Sequence, residues 1–293
     1  MRHELTPAVD AERVVVRSQG HDLSYYVAGD GDPVLLIHSI NAAASVFEVK
    51  PVFDALCRNY RVYAPDLPGF GFSDRSNRPY TAELYTDTVR DMLELIGDEK
   101  SVHVLGLSLS SEFVARQGMR TPERFRSLAL VTPTGFNRGS DRLRAAEGST
   151  RENAIASGIT GIPGLRSGLF KLLVRPGSVR YFLKRTFGSD NVDESLARYC
   201  ILTASQAGAL HAPLSFISGR LFSRDIRSVY ETLGMPVWLA HGTRGDFSDF
   251  SETDWIQERS NWSVTAFETG AIPYFEVAEL FLRDYQHFLD TVD

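Results

Sequence analysis

The sequence predicts an α/β protein whose mostly parallel, eight-stranded sheet is flanked by helices and carries an inserted helical cap. Short apolar runs, typical of strands buried on both faces, alternate with segments of helical periodicity. This alternation stops between residues 137 and 231, where the chain is helical and interrupted by glycine, and then resumes. Alternating strands and helices indicate a parallel sheet, because a helix usually provides the crossover between parallel strands.

Eight segments have the composition and the flanking turns of strands. The predicted strands cover residues 13–18, 23–30, 33–39, 60–69, 101–106, 125–133, 235–242 and 262–270. Apolar residues at helical intervals predict four helices outside the cap. They cover residues 45–59, 81–98, 110–122 and 275–293.

The helical block predicts the domain organisation. Residues 1–136 and 232–293 form the core domain, and residues 137–231 form a cap inserted between the sixth and seventh strands. A cap at this point covers the carboxyl ends of the strands, where ligands bind in open α/β sheets.

Composition excludes several classes of function. The 293-residue chain has a formal net charge of −6, which argues against nucleic acid as a partner. Its two cysteines, Cys57 and Cys200, form no close-spaced motif and predict neither a disulfide framework nor a metal site. The N-terminal segment lacks an apolar signal core, and no apolar run reaches the ~20 residues that span a bilayer. We therefore expect a cytoplasmic protein without a transmembrane segment.

A serine marks the predicted turn between the fifth strand and its helix. Ser108 lies in Gly106-Leu107-Ser108-Leu109-Ser110, with small residues on both sides of it. This spacing is typical of a strained strand-to-helix turn that exposes a nucleophilic hydroxyl above the sheet. The alternative is a serine that only caps the helix.

Two further segments extend the pattern. "IHSINAAASVF" follows the third strand, and "APDLPGFGFSD" follows the fourth. With the Ser108 turn, they resemble the α/β-hydrolase fold superfamily, in the helical-cap branch that contains esterases, haloperoxidases and C–C hydrolases. The likeness runs from Val14 to the C-terminus and includes the position of the cap but not its sequence. Two residues depart from the family pattern, which has glycine where this chain has Ser39 and Ser110.

The resemblance implies roles for named residues. Ser108 is the implied nucleophile, and the oxyanion-hole amides come from Leu109 and from Ile40 or Asn41. In this superfamily the acid follows the seventh strand. Here the segment "PVWLAHGTRGDFSDF" offers two candidates. The first is Asp246, and the second is Asp249.

The usual base is missing. The superfamily places a histidine in a Gly-His-x-Pro-type segment before the last helix. This chain has "ETGAIPYFE" there, so Ala271 occupies the histidine position. Of the seven histidines, His241 at the end of the seventh strand and His211 in the cap are the candidate substitute bases.

Three functions remain open. The first is a serine hydrolase of carboxylic esters or related carbonyl substrates, including those cleaved at a C–C bond. The second is a non-hydrolytic protein that binds or senses a small molecule. The third is a lyase or isomerase that uses the oxyanion hole. No motif indicates a metal, nucleotide or flavin, so we expect no cofactor.

The cap is basic in an acidic protein. Residues 138–198 contain eleven lysines and arginines and six acidic residues, and aromatic and aliphatic residues lie among them. One interpretation is two helices that pack apolar faces on the core. The others are an entrance for an anionic or amphiphilic ligand and a peripheral membrane contact. We expect a small apolar or amphiphilic ligand, and the sequence carries no signal of oligomeric state.

Overall fold

The computed structural model describes residues 4–97, 100–139, 146, 148–153, 158 and 162–292. One eight-stranded sheet has the order β1-β2-β4-β3-β5-β6-β7-β8. The strands are β1 (Glu12–Ser18), β2 (His21–Ala28), β3 (Pro33–Ile37), β4 (Arg61–Pro65), β5 (Val102–Leu107), β6 (Phe125–Val131), β7 (Val237–Gly242) and β8 (Trp262–Phe267).

The predicted fold class is confirmed. Strand β2 pairs antiparallel with β1 and with β4, and every other pairing in the sheet is parallel. The parallel strands β3 to β8 therefore end at one edge of the sheet. The third and fourth strands are shorter than the sequence predicts. Strand β4 stops at Pro65 because the next residue, Asp66, turns inward and its carboxylate accepts a 2.9 Å hydrogen bond from the Phe72 amide.

Helices outside the cap cover both faces of the sheet. They are α1 (Lys50–Leu56), α2 (Ala82–Ile96), α3 (Ser110–Arg120) and the last helix of the chain, α9 (Ala278–Val292). Alternate residues of β3 point to opposite faces. Val34 and Leu36 join the apolar cluster of α1 and α9, whereas Leu35 and Ile37 join the cluster of α2 and α3.

Five more described helices lie between β6 and β7. They are α4 (Pro163–Leu173), α5 (Pro176–Phe187), α6 (Glu194–Ala204), α7 (His211–Ile217) and α8 (Ile226–Thr232). Helix α8 packs on α3 and buries Val229 and Tyr230 in the same cluster as the sheet. The predicted cap includes residues 140–145, 147, 154–157 and 159–161, which lie outside the described residues. Its boundaries at residues 137 and 231 stay a prediction.

An arginine joins the cap to the core. Arg75, after the β4 loop, donates hydrogen bonds of 2.8 Å to the Thr203 carbonyl and 2.9 Å to its hydroxyl. Thr203 lies in α6, which also buries Tyr199 and Cys200 against the core. Among the described helices, none is both long enough and apolar enough to cross a membrane.

Candidate active site

Ser108 lies at a sharp turn between β5 and α3, and its φ is 55°. This left-handed conformation costs a non-glycine residue on the order of 1–3 kcal/mol, so it persists only where the surrounding structure imposes it. Here the Ser108 amide donates a 2.8 Å hydrogen bond to the carbonyl of Val131, the last residue of β6. The serine is partly exposed. The turn therefore has the strained geometry that the sequence predicts.

Steric and hydrogen-bonding constraints explain why the residues on both sides of Ser108 are small. A Cβ atom on Gly106 would lie 2.6 Å from Cγ2 of Val114 and 3.1 Å from Cα of Ser111, so α3 can approach β5 only at a glycine. The Ser110 hydroxyl donates a 2.6 Å hydrogen bond to the carbonyl of His38. Ser110 thus ties the start of α3 to the loop after β3.

The predicted oxyanion-hole amides have no acceptor within the part of the chain that the structure describes. This holds for the amides of Leu109, at the start of α3, and of Ile40 and Asn41, in the loop after β3. The amino terminus of α3 also favours negative charge at this point. The three amides therefore stay the predicted donors to an oxyanion.

A buried glutamate holds the oxyanion loop, residues 38–43. Glu48 accepts hydrogen bonds from the Ser39 amide at 3.0 Å, from the Ser39 hydroxyl at 2.8 Å and from the Asn41 side-chain amide at 2.7 Å. The Asn41 side chain also accepts a 2.7 Å hydrogen bond from the Ala43 amide. Ser39, a departure from the family pattern, therefore serves as a double donor to Glu48.

Burial changes the pKa of the Glu48 carboxyl group. Burial raises the pKa of Glu48 to about 7, and the hydrogen bonds from Ser39 and Asn41 lower it in part. Glu48 lies close to the cap residue Cys200 and to Tyr274. Burial, together with the charge of Glu48, raises the pKa of both the Cys200 thiol and the Tyr274 phenol. The Tyr274 hydroxyl is buried and has no hydrogen-bond partner among the described residues.

His38 is a structural residue of this loop. Its Nε2 accepts a 2.9 Å hydrogen bond from the Leu67 amide, and its Nδ1 lies 2.6 Å from the Ser39 carbonyl. These partners assign the proton to Nδ1. Full burial lowers the pKa of His38 to about 4, so the ring is neutral near neutral pH and both nitrogens are engaged.

Neither candidate acid is buried. Asp246 lies on the exposed loop after β7, and its carboxylate forms an ion pair with the Arg185 guanidinium. Asp249 is also exposed, and its carboxylate accepts hydrogen bonds from the amides of Arg138 at 3.0 Å and Ser251 at 3.2 Å. The structure shows no hydrogen bond from either carboxylate to Ser108 among the described contacts.

A hydrogen bond to the residue after β6 connects Ala271 to the Ser108 turn. Its carbonyl accepts a 2.7 Å hydrogen bond from the hydroxyl of Thr132, the residue after Val131. Thr132 also has a left-handed φ, 46°. Ala271 is 6% exposed, and its amide donates a 2.9 Å hydrogen bond to the carbonyl of Thr186 in the cap. Ala271, at the predicted histidine position, thus lies in a closed, hydrogen-bonded segment at the same edge as Ser108.

The end of α5 packs against the loop that carries Asp246, called the acid loop, and against the loop that carries Ala271, called the base loop. We call residues 185–188 the cap wedge. On the acid side, the Asp246 amide donates a 3.1 Å hydrogen bond to the Arg185 carbonyl. On the base side, a Cβ atom on Gly270 would lie 2.3 Å from the Phe187 Cα. The two loops are therefore connected through the cap wedge.

His241 lies at the end of β7 and is buried. Its ring stacks on Phe250 with centroids 4.1 Å apart, and its Nδ1 lies 3.0 Å from the Gly242 carbonyl. Burial lowers its pKa, so the ring is neutral near neutral pH. Strand register places His241 level with Ser108 but two strands away, which corresponds to about 10 Å between backbones.

His211 begins α7 and is partly exposed. Burial and the nearby charge of Arg166 lower its pKa. The next residue, Ala212, lies against Gly69 of the loop after β4, where an added Cβ atom would approach it to 2.3 Å. His211 therefore lies between α4 and the β4 loop, and no described contact joins it to Ser108.

The sequence analysis missed Glu48 and the cap wedge. Glu48 had a weak signal, because it is an acidic residue within the apolar stretch "SVFEVKPVF". The cap wedge had none, since its contacts join segments far apart in the chain. Among the described residues, no group of three or more His, Cys, Asp or Glu side chains could hold a metal ion.

Comparisons with known proteins agree with this architecture. The profile of the alpha/beta hydrolase fold family matches residues 32–152. The chain is 22% identical over 264 residues to the pimeloyl-[acyl-carrier protein] methyl ester esterase of Aeromonas hydrophila, covering 89% of this chain and 96% of that protein. It is 28% identical over 124 residues to the 2-hydroxymuconate semialdehyde hydrolase of Pseudomonas sp. CF600, covering 42% of each. The chain is also 29% identical to proteins of Mycobacterium bovis and Mycobacterium tuberculosis over 119 residues. These residues are 41% of this chain, and they cover only 34% of the length of those proteins.

A solved structure extends the match to nearly the whole chain. The meta-cleavage product hydrolase of Pseudomonas fluorescens IP01 superimposes with a TM-score of 0.73 and 21% identity. The superposition covers 96% of this chain and 98% of that one. At this identity the structural likeness shows the fold alone. Taken with the strand order and the profile match over residues 32–152, it shows that the chain has the α/β-hydrolase fold.

Proposed function

We propose that the chain is a serine hydrolase of carboxylic esters or related carbonyl substrates, including substrates cleaved at a C–C bond. The observation that carries this proposal is the left-handed φ of Ser108 at the turn between β5 and α3. Such strain is kept where it serves to expose a reactive group. The methyl ester esterase and the two hydrolases among the similar proteins support the same class of reaction.

The chemistry follows from the surrounding groups. The Ser108 hydroxyl attacks the substrate carbonyl and forms a tetrahedral oxyanion. The amides of Leu109 and of Ile40 or Asn41 stabilise that oxyanion, and removal of one such donor typically costs about 10²–10³-fold in rate. Glu48 keeps the oxyanion loop in place through Ser39 and Asn41.

The substrate we propose is a small apolar or amphiphilic molecule. The cap residues Phe170, Val179 and Phe187 belong to the same apolar cluster as Ala271 and Ile272 of the base loop. Apolar side chains of the cap therefore adjoin the candidate site, as is usual for small-molecule sites. The basic charge of the cap favours substrates that carry a negative group.

Proton transfer limits the proposed enzyme. Ala271 occupies the usual base position, and the carboxylate of the proposed acid, Asp246, is paired with Arg185. An enzyme of this kind without one triad member keeps only about 10³–10⁴-fold catalysis over water. We therefore expect slow hydrolysis of short esters, unless His241 or His211 reaches Ser108 when substrate binds.

The test uses the purified full chain with short p-nitrophenyl esters and with a fluorophosphonate probe, and Ser108→Ala as the matched control. We expect slow turnover and slow labelling, both of which disappear in Ser108→Ala. A turnover of about 10 s⁻¹, typical of enzymes, would identify a substitute base, and His241→Ala or His211→Ala should then abolish it. If wild type and Ser108→Ala give equal rates and neither is labelled, Ser108 is not a nucleophile.

A non-hydrolytic binding protein is the second candidate, and the cap wedge is the observation that favours it. The wedge joins the acid loop to the base loop through the Asp246 amide and the Ala271 amide. A site closed in this way can retain a ligand without reacting with it. Equal ester rates for wild type and Ser108→Ala would support this candidate.

A further inference from the structure

The described large apolar side chains that are exposed to solvent are concentrated on the cap. Ten such side chains are exposed, and six of them lie on α4, on α5 and in the adjoining loop after β7. We call these six the cap surface: Ile162, Leu165, Leu172, Tyr181, Phe182 and Phe247. All six are about half exposed, from 47% for Phe182 to 56% for Ile162. Scattered exposed residues need no explanation, but a contiguous group indicates an interaction site.

Packing of the two helices places the cap surface on one side. Helix α4 buries Phe170, and α5 buries Val179 and Phe187, all in one apolar cluster with the core. The opposite faces of both helices must therefore point away from the core. Along α4, Leu165 and Leu172 are two turns apart and share a face. The exposed rings of Tyr181 and Phe182 contact each other edge to face, with centroids 5.4 Å apart.

Phe247 belongs to the same surface. It follows Asp246, whose amide and carboxylate both bind Arg185 near the end of α5. The loop after β7 is thus held beside α5, and the exposed Phe247 side chain extends the apolar surface beyond the helix.

Positive charge surrounds this apolar surface. Residues 162–188 contain six basic side chains and no acidic one. Arg180, Lys184 and Arg185 form ion pairs with acidic residues outside this segment. Arg166, Lys171 and Arg175 form no ion pair with a residue that the structure describes. As far as the described residues go, these three cations are therefore available to bind an external anion.

We propose that the cap surface docks on the surface of an anionic phospholipid bilayer. Leucine, phenylalanine and tyrosine side chains on helices enter the boundary between headgroups and acyl chains, while lysine and arginine bind anionic headgroups. A second copy of this chain is a poorer occupant, because two identical basic surfaces repel each other. The inference does not depend on Ser108 or on hydrolysis.

The test measures co-sedimentation of the full chain with vesicles of phosphatidylcholine alone and with vesicles of equimolar phosphatidylcholine and phosphatidylglycerol. We expect binding to the mixed vesicles that weakens as salt is added, and little binding to the neutral ones. Ser108→Ala should bind the mixed vesicles as wild type does, which separates this inference from the proposed hydrolase.

Two double variants and two matched controls locate the contact. Leu172→Ser with Phe182→Ser removes apolar contacts, and Lys171→Glu with Arg175→Glu reverses two free charges; each should weaken binding about tenfold or more. The apolar control changes Val15 and Val264, two other exposed residues, to serine. The charge control changes two other exposed residues, Arg58 and Lys100, to glutamate. Both controls should bind more tightly than the matching cap variants.

Two results would overturn the proposal. The first is a folded wild-type chain that does not bind the mixed vesicles, or control variants that lose as much binding as the cap variants. The second is a dimer in sedimentation velocity that the Leu172→Ser and Phe182→Ser changes dissociate while vesicle binding is unaffected. The second result would assign the cap surface to a second copy of the chain.

Discussion

The half of the candidate site that carries Ser108 is closely hydrogen-bonded within the core, whereas the half that carries Asp246 and Ala271 has an exposed carboxylate and is held by residues of the predicted cap. On the Ser108 side, Glu48 accepts three hydrogen bonds from the oxyanion loop. On the other side, the Asp246 carboxylate is exposed and pairs with Arg185. If the proposed roles are right, the half with Ser108, the nucleophile half, keeps the hydrogen bonds that hold its loop, and the half with Asp246 and Ala271, the acid–base half, is held by the cap wedge.

The difference shows how the loop that carries Ala271 keeps its shape without a histidine side chain. Ala271 uses its backbone amide and carbonyl to hold the Thr186 carbonyl and the Thr132 hydroxyl. These bonds need no side chain, so the loop stays closed with alanine in place of histidine. The cap wedge supplies the connection between the two loops that an acid–base hydrogen bond would otherwise provide.

The largest expected effect is the pH dependence of stability that the buried carboxyl of Glu48 causes. The pKa of Glu48 rises from 4.5 to about 7 on folding. The folded protein therefore binds the Glu48 proton more tightly than the unfolded chain does. The stability that Glu48 contributes is complete below about pH 4.5 and is lost as the pH rises through about 7. Glu48→Gln should remove this pH dependence, worth up to about 3 kcal/mol.

Urea unfolding at about pH 5 and about pH 8 measures this effect. Wild type should lose more stability than Glu48→Gln between the two conditions. The exposed Glu279 provides a matched control, and Glu279→Gln should follow wild type. An equal pH dependence for wild type and Glu48→Gln would show that Glu48 does not titrate in this range.

A smaller effect is expected at the glycine before the Ser108 turn. Gly106→Ala places a Cβ atom 2.6 Å from Cγ2 of Val114, a side chain whose rotamer is restricted in a helix. We expect a loss of about 2 kcal/mol in the free energy of unfolding. In the cap helix α4, Gly168→Ala meets no atom within 4 Å and should be neutral or stabilising. Similar losses for both variants would contradict the close approach of α3 to β5.

The smallest effect is expected in the acid–base half. The ion pair of Arg185 and Asp246 is about half exposed, with side-chain exposures of 50% and 41%. Solvent screens such pairs, so Arg185→Ala should leave the midpoint of thermal unfolding close to that of wild type. A marked fall in the midpoint would mean that the cap wedge depends on this side chain and not on its backbone contacts.

Local features of the site could be predicted from the sequence. The Gly106-x-Ser108-x-Ser110 spacing after a buried strand places all the relevant residues within one turn. The predicted sheet and its helices are confirmed for the same reason, because apolar periodicity is a local signal. The assignments of the acid, the oxyanion amides and the substitute bases stay predictions.

Contacts that form only when the chain folds back on itself could not be predicted, whether the partners are seven to nine residues apart or far apart in the chain. Glu48 binds Ser39 and Asn41 only once the chain between them has folded back on itself. The cap wedge contacts Ala271 and Asp246 across a long stretch of chain. No pattern of residue types records such contacts, since they depend on how the cap packs on the core.

We propose that Ser108 is a nucleophile and that the cap wedge takes the place of the acid–base half of its site. The most direct measurement compares hydrolysis of an activated ester by wild type, by Ala271→His and by Ala271→His with Arg185→Ala. The added imidazole leaves the backbone bonds of Ala271 intact, and loss of the Arg185 side chain frees the Asp246 carboxylate to orient the imidazole.

We expect a gain of about 10²-fold or more for the double variant, a smaller gain for Ala271→His alone, and loss of both gains when Ser108→Ala is added. Circular dichroism confirms that each variant is folded. Folded variants that hydrolyse the ester no faster than wild type would contradict the claim and would assign Ser108 to the turn of a binding protein.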